Sequence, residues 1–458
     1  LDSPYYHPRL YPVTLGCAKN RVDTEVMLAR LTGAGWRIVA DPEEADLILV
    51  NTCGFIASAA QEAVDTILEL AAVKQNRPGT LLVAAGCLVQ RHRESLPELL
   101  PEVDAWVGVN DFPDIVGIVA GLTGAAPGRH WDGPLLSGAE VSPRLLTTPF
   151  YTAYVKIAEG CSHRCTFCTI PAIRGPFRSR PAEVIVQEAE LLLSRGVIEL
   201  NLVAQDTTGY GREGDQRSRL PELLEKIAGL PGLAWLRLLY SHPLGITPEL
   251  LDVMAAHPKI CPYLDLPLQH LADPVLKRMG RRYTQRQALE VIDRIRRRLP
   301  GAALRTSVIT GFPGESEADF AELCRRVEEI GFDHLGIFAF QPEEGTPAAR
   351  YPDQVPARTG ARRARQLTRL QARLRRKQLR ALKGTVQEVL VEGVSEETEL
   401  LLTGRLATQA PEVDGQVYIT AGQGMVGQLQ KVRLTRTHTY DLEGELVDDA
   451  DPEGREDR

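Results

Sequence analysis

The sequence predicts an α/β protein in three parts: an N-terminal open parallel α/β domain, a central partial (βα)6 barrel and a C-terminal small β-barrel. Three observations carry this. Up to about Gly124, short apolar runs alternate with helix-compatible stretches; from Tyr151 a second, longer series of the same rhythm begins; after Lys383 the pattern turns to short alternating strands with Gly turns. A length of 458 residues fits two or three domains. With 43% hydrophobic and 25% charged residues, disordered, collagenous and fibrous chains are excluded.

In the first part, assigned to residues 9–124, Leu10 to Leu15, Asp46 to Val50 and Thr80 to Ala85 read as buried strands, with helices over Asn20 to Leu31 and Ala57 to Val73. Residues 125–149 are rich in Gly, Pro and Ser and read as a linker. The second part, 150–357, offers strands at Tyr151 to Ile157, Ile198 to Ala204, Trp235 to Tyr240, Tyr263 to Leu266, Arg305 to Ile309 and Leu335 to Phe340. Six βα units make a partial rather than a complete eight-stranded barrel. A basic connecting helix follows at 358–383, with eleven Arg or Lys and no acid, and with Leu367, Leu370 and Leu374 at helical spacing. It reads as a helix docked by its Leu stripe with a solvated basic face; a nucleic-acid contact is the alternative. The third part, 384–449, offers strands at Val386 to Val391, Leu400 to Gly404, Gln416 to Thr420 and Gln428 to Leu434. It holds twelve Asp or Glu against four Lys or Arg. The tail 450–458 is polar and expected to fray.

No apolar run approaches the ~20 residues a bilayer span needs, and Leu1 to Leu10 has neither a basic nor an apolar leader segment, so a cytoplasmic protein with no membrane partner is expected. In that reducing compartment eight cysteines are ligands, catalytic groups or core residues rather than disulfides. The net charge of -7 argues against a whole-chain nucleic-acid coat.

Cys161, Cys165 and Cys168 form a CxxxCxxC loop directly after the first strand of the second series, and three thiolates so spaced can wrap one small inorganic core. A structural zinc would want a fourth ligand, and His163 is awkwardly spaced for it. An iron–sulfur cube on three cysteines keeps one iron open for substrate or cofactor; three buried cysteines or a zinc loop are the alternatives. Cys17, Cys53 and Cys87 each lie just past a predicted strand, about one βα repeat apart. Parallel neighbours bring such strand ends together in the crevice where open α/β sheets hold ligands, so a joint site for a second cluster is expected, although each cysteine alone could be a buried small residue. Cys261 and Cys324 share no such pattern and read as structural.

Polar side chains at the ends of apolar strands, Gln205-Asp206 and Gln269-His270, mark a barrel's usual site. Gly311 to Gly314, between a strand and a helix, could hold a carboxylate or ribose on backbone N–H groups, or simply turn into a helix cap. Phe167 could pack on an adenine or shield a cluster. Arg174, Arg178 and Arg180 could pair with a substrate carboxylate, with solvated surface arginines as the plainer reading.

The CxxxCxxC at the first strand of a six-unit barrel resembles the radical S-adenosylmethionine enzymes. The preceding cysteine trio and the terminal β module make the chain similar to their methylthiotransferase family, from about Tyr11 to Asp441. Leu-Gly-Cys17-Ala-Lys-Asn, Ile-Pro-Ala-Ile-Arg174-Gly and Asp414-Gly-Gln-Val-Tyr resemble its RimO-type branch, with small departures at Ala18, Thr24 and Ser162, none of which removes a ligand. The resemblance implies a radical-SAM barrel, a TRAM-like terminal barrel, two [4Fe-4S] clusters on the two cysteine trios, and S-adenosyl-L-methionine held near Phe167, Gln205, Gln269, Gly311 and Gly314. It implies no catalytic residue beyond the clusters. The implied activity is methylthiolation of the β-carbon of an aspartate in small-subunit ribosomal protein twelve, free or on the assembled subunit. The implied partner is an electron donor such as flavodoxin or ferredoxin; the basic helix from Arg358 to Lys383 could touch ribosomal or transfer RNA. The sister branch methylthiolates an isopentenyl- or threonylcarbamoyl-type adenosine in transfer RNA; the acidic terminal module, which repels phosphate, favours the protein target.

Overall fold

Strand β3 (Leu47–Thr52) is buried along its whole length, as a near-continuous apolar run must be when helices cover both faces of a parallel sheet. The computed structural model describes residues 7–122, 128–213, 217–398 and 400–447. Around β3 the N-terminal sheet gathers β1 (Arg9–Thr14), β2 (Arg37–Ile38), β4 (Leu81–Gly86), β5 (Ala105–Val107) and β6 (Gly128–His130), all parallel, in the order β2-β1-β3-β4-β5-β6. Alternate residues of β3 face opposite layers. Leu47 and Leu49 pack with Met27 and Leu31 of helix Ala18–Gly33, whereas Ile48 and Val50 pack with Ile67 and Leu70 of helix Ala57–Asn76.

The stretch expected to be a linker is more than that, because β6 completes the sheet and Arg144 is buried in a pair with Glu25. Its residues 125–127, like the expected tail 450–458, lie outside the described residues.

The central domain has six parallel strands. A first sheet holds β7 (Thr152–Lys156), β10 (Glu199–Val203) and β11 (Trp235–Leu238); a second holds β12 (Tyr263–Asp265), β13 (Ala303–Thr310) and β14 (His334–Ala339). A parallel bridge from Leu236 to Ile260 joins them, so the whole is an open (βα)6 barrel. Between β7 and the next helix, β8 (Ala158–Glu159) pairs with β9 (Arg178–Ser179) and clamps the base of an intervening loop. The basic segment is the sixth helix of the barrel, Ala357–Arg380, rather than a separate connection. Gly360, Leu367, Gln371 and Leu379 are buried, and Gln371 donates to the Phe332 carbonyl.

The C-terminal barrel is closed: β15 (Val386–Val394), β16 (Leu402–Leu406), β17 (Val417–Ala421), β19 (Leu442–Leu446) and β18 (Leu429–Thr437), in that order, with β18 returning to β15. Four of these strands were expected. The fifth, β19, has the short and weak pattern LEGEL, and Gly444 is there because a Cβ would lie 2.4 Å from Val432 Cγ1. No helix among the described residues is long and apolar enough to cross a membrane.

Candidate active site

Three adjacent parallel strands, β1, β3 and β4, end in register: Thr14 stands opposite Asn51, and Thr52 opposite Gly86. Each then releases a cysteine. Cys17 is the N-cap of helix Ala18–Gly33, Cys53 follows β3 directly, and Cys87 opens helix Cys87–His92. The turns interlock so tightly that side chains would not fit: a Cβ on Gly16, where φ is +92°, would lie 2.7 Å from Cys53 Cβ, and one on Gly54 would lie 2.5 Å from Leu88 Cα. Buried Asn20 ties the trio's loops together by donating to the carbonyls of Leu15 (3.1 Å) and Thr52 (2.9 Å) and by accepting from Cys87 Sγ at 3.5 Å.

Cys161, Cys165 and Cys168 lie on the loop that β8 and β9 clamp. Cys161 N–H donates to Gly175 O at 3.0 Å, and a Cβ on Gly160 would lie 2.1 Å from Pro176 O, so only glycine closes this base. The far side of the loop is pinned by Thr166 N–H to Met279 O (3.0 Å) and by Arg281 Nη1 to Cys165 Sγ (3.5 Å). His163 is no ligand candidate: its Nε2 meets Asp206 at 2.7 Å and its ring stacks on His242.

The residue that sequence reasoning misjudged is Arg174. It is not a solvated surface arginine; its side chain is 2% exposed, because helix Ile170–Arg174, starting two residues after Cys168, carries it across to the other trio. There Nη2 donates to Cys87 Sγ (3.3 Å) and Asn20 Oδ1 (2.6 Å), and Nη1 to Glu159 (3.0 Å) and Asp23 (3.2 Å). Lys156 completes the group with Asp23 at 2.5 Å and Glu159 at 2.6 Å. Thr169 Oγ1 also donates to Phe55 O, so both ends of the short helix lie against the turns after Cys53 and Cys87. Among the described residues Arg178 donates only to carbonyls, and Arg180, also no solvated surface arginine, has a side chain 11% exposed and pairs with Glu188. No sequence signal could have found the Arg174 contacts, whose partners are 87 and 151 residues away.

Electrostatics differ between the thiols. Burial pushes Cys161 up to about 11, Cys168 to about 12 and Cys87 to about 11. Burial acts on Cys17 too, but Lys19, Arg174 and the backbone N–H groups of Asn20 and Lys19 outweigh it, leaving this thiol below its ordinary value. A coordinated metal would deprotonate any of them. Among the described residues no three His, Cys, Asp or Glu are grouped as a single-ion site would group them. The donor set, two trios of cysteines with an arginine against one thiol of each, fits thiolate-held clusters.

Of the other expected residues, Gln205 donates to Glu159 (2.9 Å), while its buried Oε1, like buried Ser241 Oγ after β11, has no protein partner among the described residues. These oxygens suit the polar groups of a small cofactor at the strand ends. Gln269 lies past β12 with φ +71° and bridges to Val308. Neighbouring His270 is tied inward, accepting the Ala272 N–H. Phe167 packs edge-on against Phe312 with centroids 6.2 Å apart. The expectation of free N–H groups at Gly311 and Gly314 does not match the geometry. Glu315 takes the Phe312 and Gly311 N–H groups and Asp353 O takes that of Gly314, while a Cβ on Gly311 would lie 2.6 Å from Gly360 Cα. Cys261 is buried core, and Cys324 is half-buried in helix Glu317–Ile330. A cavity of about 360 Å³ adjoins Asp23, Lys156 and Glu159, and none of the six cysteines lines it.

Three family models match in order: Uncharacterized protein family UPF0004 over residues 9–108, the Radical SAM superfamily over 155–327 and the TRAM domain over 384–447. Membership of the radical SAM superfamily implies S-adenosylmethionine and a [4Fe-4S] cluster. The chain is 49% identical to ribosomal protein uS12 methylthiotransferase RimO of Geotalea uraniireducens, covering 95% of this chain and 97% of the relative. It is 50% identical to the protein of that name from Geobacter sulfurreducens, covering 95% and 98%. Among solved structures, the radical S-adenosylmethionine methyltransferase TsrM of Kitasatospora setae superposes with a TM-score of 0.58 at 15% identity, over 75% of this chain and 77% of that one, a likeness of fold.

Proposed function

The chain belongs to the RimO family of ribosomal protein uS12 methylthiotransferases, and from that we propose that it places a methylthio group on the β-carbon of an aspartate in small-subunit ribosomal protein twelve, using two [4Fe-4S] clusters. The observation that supports this best is the bridging of the two cysteine trios by one short helix and its Arg174. In this reading Cys161, Cys165 and Cys168 hold one cluster, and Cys17, Cys53 and Cys87 hold the other. When bound, the clusters and S-adenosylmethionine supply a carbon radical able to take hydrogen from an unactivated C–H bond, and the sulfur that replaces it.

The protein's own part is placement and charge. Arg174 sets a fixed cation between Cys87 and the buried carboxylates of Asp23 and Glu159, so the thiolates sit in a compensated environment. Lys19, 7% exposed, lies 3.6 Å from the centre of the Tyr240 ring at the barrel mouth, which brings the Cys17 turn over the strand ends. Gln205 and Ser241, just past β10 and β11, carry buried oxygens with no protein partner among the described residues. An electron donor such as flavodoxin or ferredoxin supplies the reducing electron, and the reaction takes place in the cytoplasm, where ribosomal proteins are.

The test is product analysis. Anaerobically reconstituted protein, reduced with S-adenosylmethionine present, is offered small ribosomal subunits and bulk transfer RNA together. A methylthio mass increment on one aspartate of ribosomal protein twelve is expected; an increment on transfer RNA alone overturns the substrate.

A further inference from the structure

The outer face of helix Ala357–Arg380 carries an arginine ridge, most of which docking of the helix does not use. Its inner face follows Gly360, Arg363, Leu367, Gln371, Arg375 and Leu379, all buried, and the arginines there are neutralised: Arg363 by Glu315 and Arg375 by Asp333. Opposite them, Arg358, Arg362, Arg365, Arg369, Arg373, Arg376 and Arg380 recur every three or four residues, every one exposed. They form a single straight line of cations about 33 Å long, with about one per helical turn. Arg362 meets Glu317 and Arg373 meets Glu328; the other five have no carboxylate partner among the described residues. Like charges at such spacing weaken a helix, and the helix holds no acid that would relieve them. The chain as a whole carries -7, so the ridge is a local inversion of charge rather than a general basic character.

We propose that this ridge binds the phosphate backbone of RNA. Guanidinium forks match phosphate oxygens in pairs, and a straight row of them matches a regularly spaced polyanion better than the scattered carboxylates of an acidic protein. A membrane surface is disfavoured because the ridge has no exposed apolar flank to insert; the helix's leucines face the barrel. Resting on the ribosomal-protein reading above, the RNA is that of the small subunit, held by the ridge while the acidic terminal barrel, next along the chain, faces the basic protein.

Binding of the full-length wild-type protein to a labelled 20-base-pair RNA duplex and to small ribosomal subunits, across a salt series, tests it. The comparison is a variant with Arg358→Gln, Arg365→Gln, Arg369→Gln, Arg376→Gln and Arg380→Gln; the double variant Arg365→Gln/Arg369→Gln guards against misfolding, and circular dichroism checks both. The expected result is duplex affinity at least tenfold weaker for the fivefold variant, a salt slope shallower by about 4, intermediate values for the double variant, and unchanged turnover on free ribosomal protein twelve. Equal affinity and slope for wild type and both folded variants overturn the proposal, as does a loss of binding to free ribosomal protein twelve with duplex binding intact, which would make the ridge a protein contact. Duplex binding does not depend on turnover, so failure of the ridge and failure of the methylthiotransferase reading are read separately.

Discussion

Arg174 is the side chain on which the site turns, because it belongs by sequence to the Cys161 loop and by contact to the Cys87 site. A fully buried guanidinium flanked by Asp23 and Glu159 cannot be deleted without leaving two buried carboxylates to share the single cation of Lys156, so Arg174→Gln should cost about 3 to 5 kcal/mol of stability, measured by denaturant unfolding. Arg174→Lys keeps the charge but not the fork that reaches Cys87 and Asn20 together. With Cys161, Cys165 and Cys168 replaced by alanine so that only the other trio can load, Arg174→Lys should retain iron but move the midpoint potential, followed by electron paramagnetic resonance during redox titration. An unmoved potential would reduce Arg174 to a packing residue.

At the scale of elements, the β8–β9 clamp decides whether the Cys161 loop closes. Gly160→Ala puts a Cβ against Pro176 O at a backbone φ of +75°, so it should open the clamp. Iron bound per chain should then fall by about one cluster's worth, with Cys17, Cys53 and Cys87 still loaded. The cysteine positions were legible from sequence for the same reason that the clamp works: strand ends in a parallel sheet come into register, so cysteines one repeat apart meet. Local patterning also revealed the strands β1, β3 and β4, although in β1, expected to be buried, only Leu10 is fully so. It missed β6 and β19, whose three and five residues owe their place to neighbouring strands rather than to their own apolar content. The basic helix was legible as a helix, but its membership of the barrel was not, because the residues that seat it, such as Phe332 and Asp333, lie about 40 positions away.

Across the whole molecule, buried ion pairs lock the terminal barrel onto the central one. Arg405 and Arg237 both reach Glu199 at the start of β10; burial alone would push this carboxyl up, but the two guanidiniums hold it down to about 2, against an ordinary 4.5. A carboxyl held low in the folded chain contributes stability above its unfolded value and loses it on acidification, so this lock should be complete above pH 4.5 and weaken as pH falls toward 2. Glu199→Gln should flatten that part of the stability profile, read by thermal melts across the range. Asp414 adds a second lock with Arg305, His334 and Tyr263, and Glu412 touches Arg21 of the N-terminal domain, so the terminal barrel ties the other two domains into one frame. The measurement that tests this frame most directly follows 5′-deoxyadenosine and methylthiolated ribosomal protein twelve together over time, in wild type and Cys53→Ala. If the two trios act in series at one cavity, Cys53→Ala keeps forming 5′-deoxyadenosine and makes no methylthio product; normal product from Cys53→Ala would contradict the two-cluster account.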